Sequence, residues 1–363
     1  MDMQLPLHAH GPSLTSDQAR MLDDEFFHSN PLGHFSSKIA NLLEAESTSS
    51  HPTAESHSEF FDALGVTESE FLIDFDEQER RVQTAIEALA LRHQAAEALT
   101  RFTYAVAAST PNGRDARCVW LAIADSPTRM IDVLHGNVDA LNAEGRFLEL
   151  FFPPGAVIDQ TAIRAADTAI AWLNHAAFLL SDNELSVNAA NNKVKHGLAV
   201  SARGDVRIEF VTTPPDADGN IPASAFGEGK SVPLFDRAML TYLCRPHGTP
   251  RQGVEAVSLR VDLPIVLAEA WMMANIYAAL FASAARRHFG NDLPDGIAEY
   301  PRLVVDRLPE HVIGGRVLGF RSPVTTPPDG DTPHRPIGIF FHRRFVPVNV
   351  DFENRFTGRV IEG

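Results

Sequence analysis

Between Glu68 and Thr110 the chain contains neither proline nor glycine. Apolar residues recur through Val82, Ile86, Leu89, Leu91, Ala95, Leu99, Phe102 and Val106 at helical spacing. The pattern predicts one long helix, roughly residues 70–108, ended by the TPNGRDAR loop. A helix of that length cannot bury its apolar face alone. It demands partner helices and so directs the fold toward a bundle.

The partners are visible further along. Residues 118–152 read as mixed short helices around Trp120 and Leu148–Phe152, stopped by Pro153, Pro154 and Gly155. Ile158, Ile163, Ala166, Ile170, Trp172, Leu173, Ala176, Phe178 and Leu179 cover most of a second long helix, 157–180, which should be deeply buried. Ser181 and Glu184 have capping-box spacing and open a third helix, which runs to about His196 and stops at Gly197.

Beyond residue 200 the period changes. Val206–Val211, Val232–Cys244 and Val254–Asp262 alternate as strands, with the turn-rich PPDADGN at 214–220 between the first two. An apolar helix at 264–288 follows. Arg302–Val305, Arg316–Phe320 and Ile337–Val350 then suggest more β structure around a loop at 321–336. The predicted class is α+β: an N-terminal long-helix bundle followed by mostly antiparallel strands with one long buried helix. Three regions are expected: an acidic, largely disordered extension (1–57), a helical domain (58–200), and a β-rich α+β region (201–363) packed on the helices.

The extension is expected from charge and composition. The net charge is -16, yet residues 1–81 hold sixteen acids against four bases, leaving the remainder at only -4. The STSSHPTAESHSE run at 47–59 offers little to bury. This balance argues against a duplex-DNA binder. Two cysteines exclude a disulfide scaffold and point to a reducing compartment. Residues 1–20 lack a basic start followed by an apolar stretch, so a cytoplasmic protein is expected. Leu263–Ala284 is long enough to span a bilayer, but a carboxylate at Glu269 is expensive there, and a buried core helix is the better reading. No membrane partner is expected.

Common motifs fail on inspection. GEGKS (227–231) has Ser224 where a phosphate loop needs its leading glycine, and Pro233 blocks the following helix. DADGN (216–220) has Ile221 where a calcium loop needs glycine. Gly314, Gly315 and Gly319 make no dinucleotide fingerprint. Fifteen histidines include no H-x-x-x-H or H-E-x-x-H, so no metal and no cofactor are expected. Cys118 beside Trp120 reads as a small core residue. FHRRF (341–345) reads as an alternating strand, with Arg and Phe able to stack on bases or simply to divide core from solvent.

Two polar stripes remain. His93, Glu97 and Arg101 are spaced i, i+4, i+8 and share one helix face. Asn188, Asn192 and His196 repeat that spacing on the third helix, with Glu184, Asn191 and Lys195 beside them. The chain has only four lysines, and Lys193 and Lys195 are two of them. One reading is ordinary: the basic residues complement a helix dipole, and the first stripe is a solvated ladder. The other sets the stripes face to face. His196 would then move protons, Lys195 or Arg101 would hold a phosphate, Asn188 and Asn192 would orient substrate or water, and Glu97 would fix a histidine tautomer.

A long helix pair with NNKVKHGL near the end of a late helix resembles the HEPN superfamily. These are small helical nucleotide-binding domains and, in many members, toxin or defence ribonucleases with an R-x(4–6)-H motif. The resemblance covers about residues 68–200 and implies His196 as the motif histidine. It departs at the arginine, where Asn191 or Ala190 stands. An R-x6-H match at Arg335–His342 falls on a predicted loop and strand. The resemblance implies a nucleotide or RNA partner, with catalytic candidates His196, Asn192 and Lys195 and binding candidates His93, Glu97, Arg101 and Asn188. It covers both metal-independent RNA cleavage and binding without chemistry. The competing expectation is a non-enzymatic interaction or scaffold protein that uses the 264–288 helix and the β-rich half as an assembly surface. A homodimer is compatible with either.

Overall fold

The computed structural model describes residues 11–47, 62–65, 76–111, 113–143, 145–182, 187–211, 213–214, 216–217, 222–225, 229–245, 253–290, 293–325 and 335–348. His8, His10, residues 48–59, the predicted helix start at 70–75, Glu184 and most of the 326–336 loop lie outside them. The helices are α1 (Ser16–Phe26), α2 (Pro31–Ser47), α3 (Glu77–Ala107), α4 (Val119–Ala124), α5 (Met130–Leu141), α6 (Arg146–Phe151), α7 (Gln160–Ser181), α8 (Val187–Lys195), α9 (Leu263–Phe289) and α10 (Pro309–Ile313). The strands are β1 (Ser201–Arg203), β2 (Ile208–Val211), β3 (Ser231–Phe235), β4 (Ala238–Cys244), β5 (Glu255–Val261), β6 (Gly319–Pro323), β7 (Gly338–Phe341) and β8 (Arg344–Pro347). The chain is α+β with a long buried helix, as its periodicities require.

It divides into two units that cross sequence order. Residues 1–39, 89–198 and 264–316 form a helical unit; residues 40–88, 199–263 and 317–363 form a β-rich unit. The division at 198/199 lies at the expected boundary near 200, while residues 40–88 group with the β-rich unit and α9 groups with the helices. Its apolar circumference explains this: Val266, Leu267, Ala270, Met273, Ala274, Leu280, Phe281 and Ala285 are all buried. Such a helix must be surrounded rather than laid on one sheet face.

In the helical unit, alanines at the contact positions Ala95, Ala96, Ala270 and Ala274 are fully buried. Short side chains there allow close helix approach. Aromatic residues fill the wider spaces: Phe102 lies 5.1 Å from Tyr277 and 5.6 Å from Phe281, centroid to centroid. The expected disorder of 1–57 is corrected over 16–47. Phe27 is fully buried, 5.2 Å from Phe281. Asp23 bonds the start of α4 instead of facing water, accepting from Val119 N–H at 2.9 Å and Trp120 N–H at 3.0 Å. The buried Phe27, Phe35 and Ile39 and one committed carboxylate outweigh the segment's polar composition. Residues 302–305 were expected as a strand but are extended without a sheet partner. Asn275 Nδ2 on α9 donates to the Arg302 carbonyl at 3.2 Å, and Trp172 Nε1 on α7 to the Arg307 carbonyl at 2.7 Å. Side chains thus replace a ladder.

The β-rich unit carries a six-stranded antiparallel sheet, ordered β1-β4-β5-β6-β7-β8, and a separate β2-β3 pair. Along β5, Glu255, Val257, Leu259 and Val261 face inward, the alternation that predicted it. The expected single strand 232–244 is two. The chain bends at 236–237, where it passes from the β2-β3 pair to the six-stranded sheet, and Asp236 at the bend accepts from Arg260 Nε at 2.7 Å. FHRRF is a hairpin rather than one strand. Phe341 pairs with Arg344, leaving His342–Arg343 as the turn, with Arg343 left-handed at φ 55°. Gly338 is required opposite this hairpin, since a Cβ there would strike the Phe345 ring and the Val346 carbonyl.

Candidate functional site

All the predicted site residues fall in the helical unit. His93 is 5% exposed on α3. Its Nε2 lies 3.9 Å from a Glu97 carboxylate oxygen, and its Nδ1 is buried without a hydrogen-bond partner among the described residues. Burial pushes the imidazole pKa down to about 4. Glu97 opposes that shift, whereas the positive charges of Arg92 and Lys195 add to it. His93 is therefore neutral at pH 7. That makes it a poor general acid and a usable hydrogen-bonding group.

Arg101 is occupied. Its Nε donates to Glu97 at 2.8 Å, and its Nη1 donates to Ser126 Oγ at 2.7 Å and to the Pro127 carbonyl at 3.1 Å. It ties α3 to the segment after α4 and is a weaker candidate for a phosphate ligand than its spacing suggested.

On α8, Val187 and Ala190 are buried and anchor the helix, which turns Asn192, Lys193, Lys195 and His196 toward solvent; Asn188 is half-buried. Gly197, at φ 104°, lets the chain turn away after the last helical residues. The charge of Lys195 acts on His93 with a sign opposite to that of Glu97. No hydrogen bond or ion pair joins Asn192 or His196 to the α3 stripe among the described residues. The outlying Arg335–His342 match is also separated: Arg335 Nε bonds the buried Glu255 carboxylate at 3.0 Å, while His342 sits in the hairpin turn.

One buried polar centre was not anticipated. Glu269, 1% exposed in the middle of an apolar helix, accepts from Arg92 at 3.0 and 3.3 Å and contacts His175 Nε2 at 2.8 Å. Burial would raise its pKa, but the Arg92 guanidinium and the His175 contact outweigh burial and hold it below the ordinary glutamate range. The signal was in the sequence: a lone carboxylate in an apolar helix needs a partner. Sequence spacing could not name that partner, because it is 177 residues away. The same centre bears on the scaffold expectation. α9 is long and apolar enough to cross a membrane by length and composition, and 78% of its most apolar window is buried in this structure. No three His, Cys, Asp or Glu side chains converge as metal ligands among the described residues.

Comparison with known protein families, with curated proteins and with solved structures gives no match.

Proposed function

We propose that the helical unit binds a nucleotide, or the end of an RNA strand, through a phosphate held by Lys195 with His93 beside it, and that it does so without cleaving the ligand. The observation that carries this reading is the pairing of a buried, neutral imidazole, its Nδ1 unused, with an exposed lysine whose charge reaches it. A lysine supplies a mobile point charge for phosphate. A neutral histidine supplies one donor or acceptor for a hydroxyl or base edge. Binding is favoured over hydrolysis because the buried histidine is neutral at pH 7 and His196 is open to solvent with no orienting partner among the described residues.

The test is calorimetric titration with AMP and polarisation with a short labelled RNA, both in chelator. Lys195→Ala should weaken both ligands by about tenfold, the scale of one charge-assisted hydrogen bond, and His196→Ala should change neither. Absence of binding by the wild type at millimolar ligand would refute the reading. Metal-free RNA cleavage abolished by His196→Ala would replace it with the ribonuclease form.

A further inference from the structure

A second site lies in the helical unit, built from residues that the nucleotide reading does not use. A cavity of about 770 Å³ opens beside the end of α6, within the size range of small-molecule pockets. Phe27, Val106, Leu148, Phe152 and Ile158 give it an apolar wall. Arg117, Arg146, Arg287 and His288 add positive groups, with Asp23 and Glu149 as the carboxylates. A smaller pocket of about 270 Å³ shares Asp23, Arg117 and His288 and adds Arg20.

The hydrogen bonding decides which charges are spare. Asp23 is consumed by the Val119 and Trp120 amides and by the Cys118 thiol, which donates at 3.2 Å. Glu149 pairs with Arg146 at 3.1 Å, and Asp24 with His288 at 2.7 Å. Arg117 and Arg287 bond only main-chain carbonyls. Arg117 donates to Val106 at 3.0 Å; Arg287 donates to Leu150 at 3.2 Å and Phe152 at 2.7 Å. Those carbonyls include the last of α6, groups a helix end leaves without internal partners. A carbonyl orients a guanidinium without cancelling its charge. Both arginines are therefore fixed at the cavity, solvent-accessible, and without a carboxylate in ion-pair distance among the described residues. The guanidinium of Arg287 is further disfavoured by partial desolvation and by nearby Arg146, which Glu149 opposes without reversing, so an anion placed here adds to the compensation.

We infer that this cavity binds a small organic anion, a carboxylate or phosphate head on an apolar body, with the head on Arg117 and Arg287 and the body against Phe27, Val106 and Phe152. Guanidinium groups fit both heads through paired N–H donors. The inference is independent of the nucleotide site, because Lys195 and His93 do not line this cavity.

The experiment is calorimetry on the full chain with octanoate, octyl phosphate and neutral octanol, each against wild type, Arg117→Gln, Ala284→Leu and Lys195→Ala. Ala284 lines the apolar part, so a larger side chain there fills the cavity without touching charge. At least one anion should bind, and octanol should bind at least about tenfold more weakly. Arg117→Gln and Ala284→Leu should each weaken the anion about tenfold, and Lys195→Ala should leave it unchanged. Binding of octanoate alone or of octyl phosphate alone identifies the head group and supports the site. Failure of both anions, binding of octanol as tight as the anions, or indifference to both cavity variants overturns it. Circular dichroism and urea midpoints of each variant separate lost binding from lost folding.

Discussion

Arg92 and His93 are neighbours on α3, yet they belong to two different polar regions. Arg92 looks inward: its Nη1 donates to the 1% exposed Glu269 carboxylate, which also contacts His175, while its Nε is buried without a partner among the described residues. His93 belongs to the region toward α8, where Lys195 and His196 are open to water and one buried imidazole nitrogen has no partner among the described residues. The contrast separates two uses of polar chemistry in one helical unit. Groups whose partners are other side chains are committed to the fold. In the proposed reading, the exposed Lys195 is the group that meets a ligand.

The strongest way to break that distinction is to remove a committed group. Glu269→Ala leaves Arg92 buried and uncompensated and should cost about 3–5 kcal/mol in urea unfolding. The double change Arg92→Met, Glu269→Leu should recover most of that loss, since apolar residues of similar volume can replace a buried pair. Loss equal to that of the single variant would show that the pair contributes more than charge compensation.

The next effect comes from pH. His93 has a folded pKa of about 4 against an ordinary 6.5. Between those values the unfolded chain binds the proton and the folded chain does not, so acid favours unfolding. About 3 kcal/mol should be lost as pH falls from 6.5 to about 4. Glu269 works in the same direction but lower: its folded pKa is depressed, so its contribution is full above the ordinary glutamate value and disappears as pH falls below it. His93→Gln should flatten the upper part of the stability–pH curve and leave the lower part. A curve unchanged between pH 6.5 and 4 would contradict the burial of a neutral imidazole.

A smaller effect sharpens the link between the helices. Removing the positive charge in Lys195→Ala should raise the His93 pKa, and Glu97→Gln should lower it further, because the two groups act on His93 with opposite sign. Histidine titration by NMR reads both. A His93 resonance indifferent to Lys195 would separate the two halves of the site.

Much of the fold could be read in the sequence where a period persists. α3 and α7 were legible from sustained helical spacing, and β5 from alternation. What failed was fixed by distant or local exceptions. FHRRF alternates, but Arg343 adopts a left-handed conformation that no Gly or Asn announced. The break between β3 and β4 falls where the chain changes sheets, with Asp236 at the bend bonded to Arg260. Residues 16–47 are polar in composition, and buried Phe27, Phe35 and Ile39 together with Asp23 reveal, in three dimensions, why they fold. At the candidate site, spacing correctly grouped His93, Glu97 and Arg101 on one face. It could not distinguish Arg101, tied to Ser126, from Lys195, left open, because that depends on residues brought together by tertiary structure.

The most direct measurement is a urea titration of Lys195→Ala with and without saturating AMP, set against wild type. An exposed, uncommitted lysine should contribute less than about 0.5 kcal/mol to stability. The variant should therefore unfold at the wild-type midpoint without nucleotide and gain about 1.4 kcal/mol less from saturating AMP than the wild type, the equivalent of tenfold weaker binding. A lowered midpoint in the absence of nucleotide, or the full wild-type gain on adding it, would contradict the division between committed and available groups.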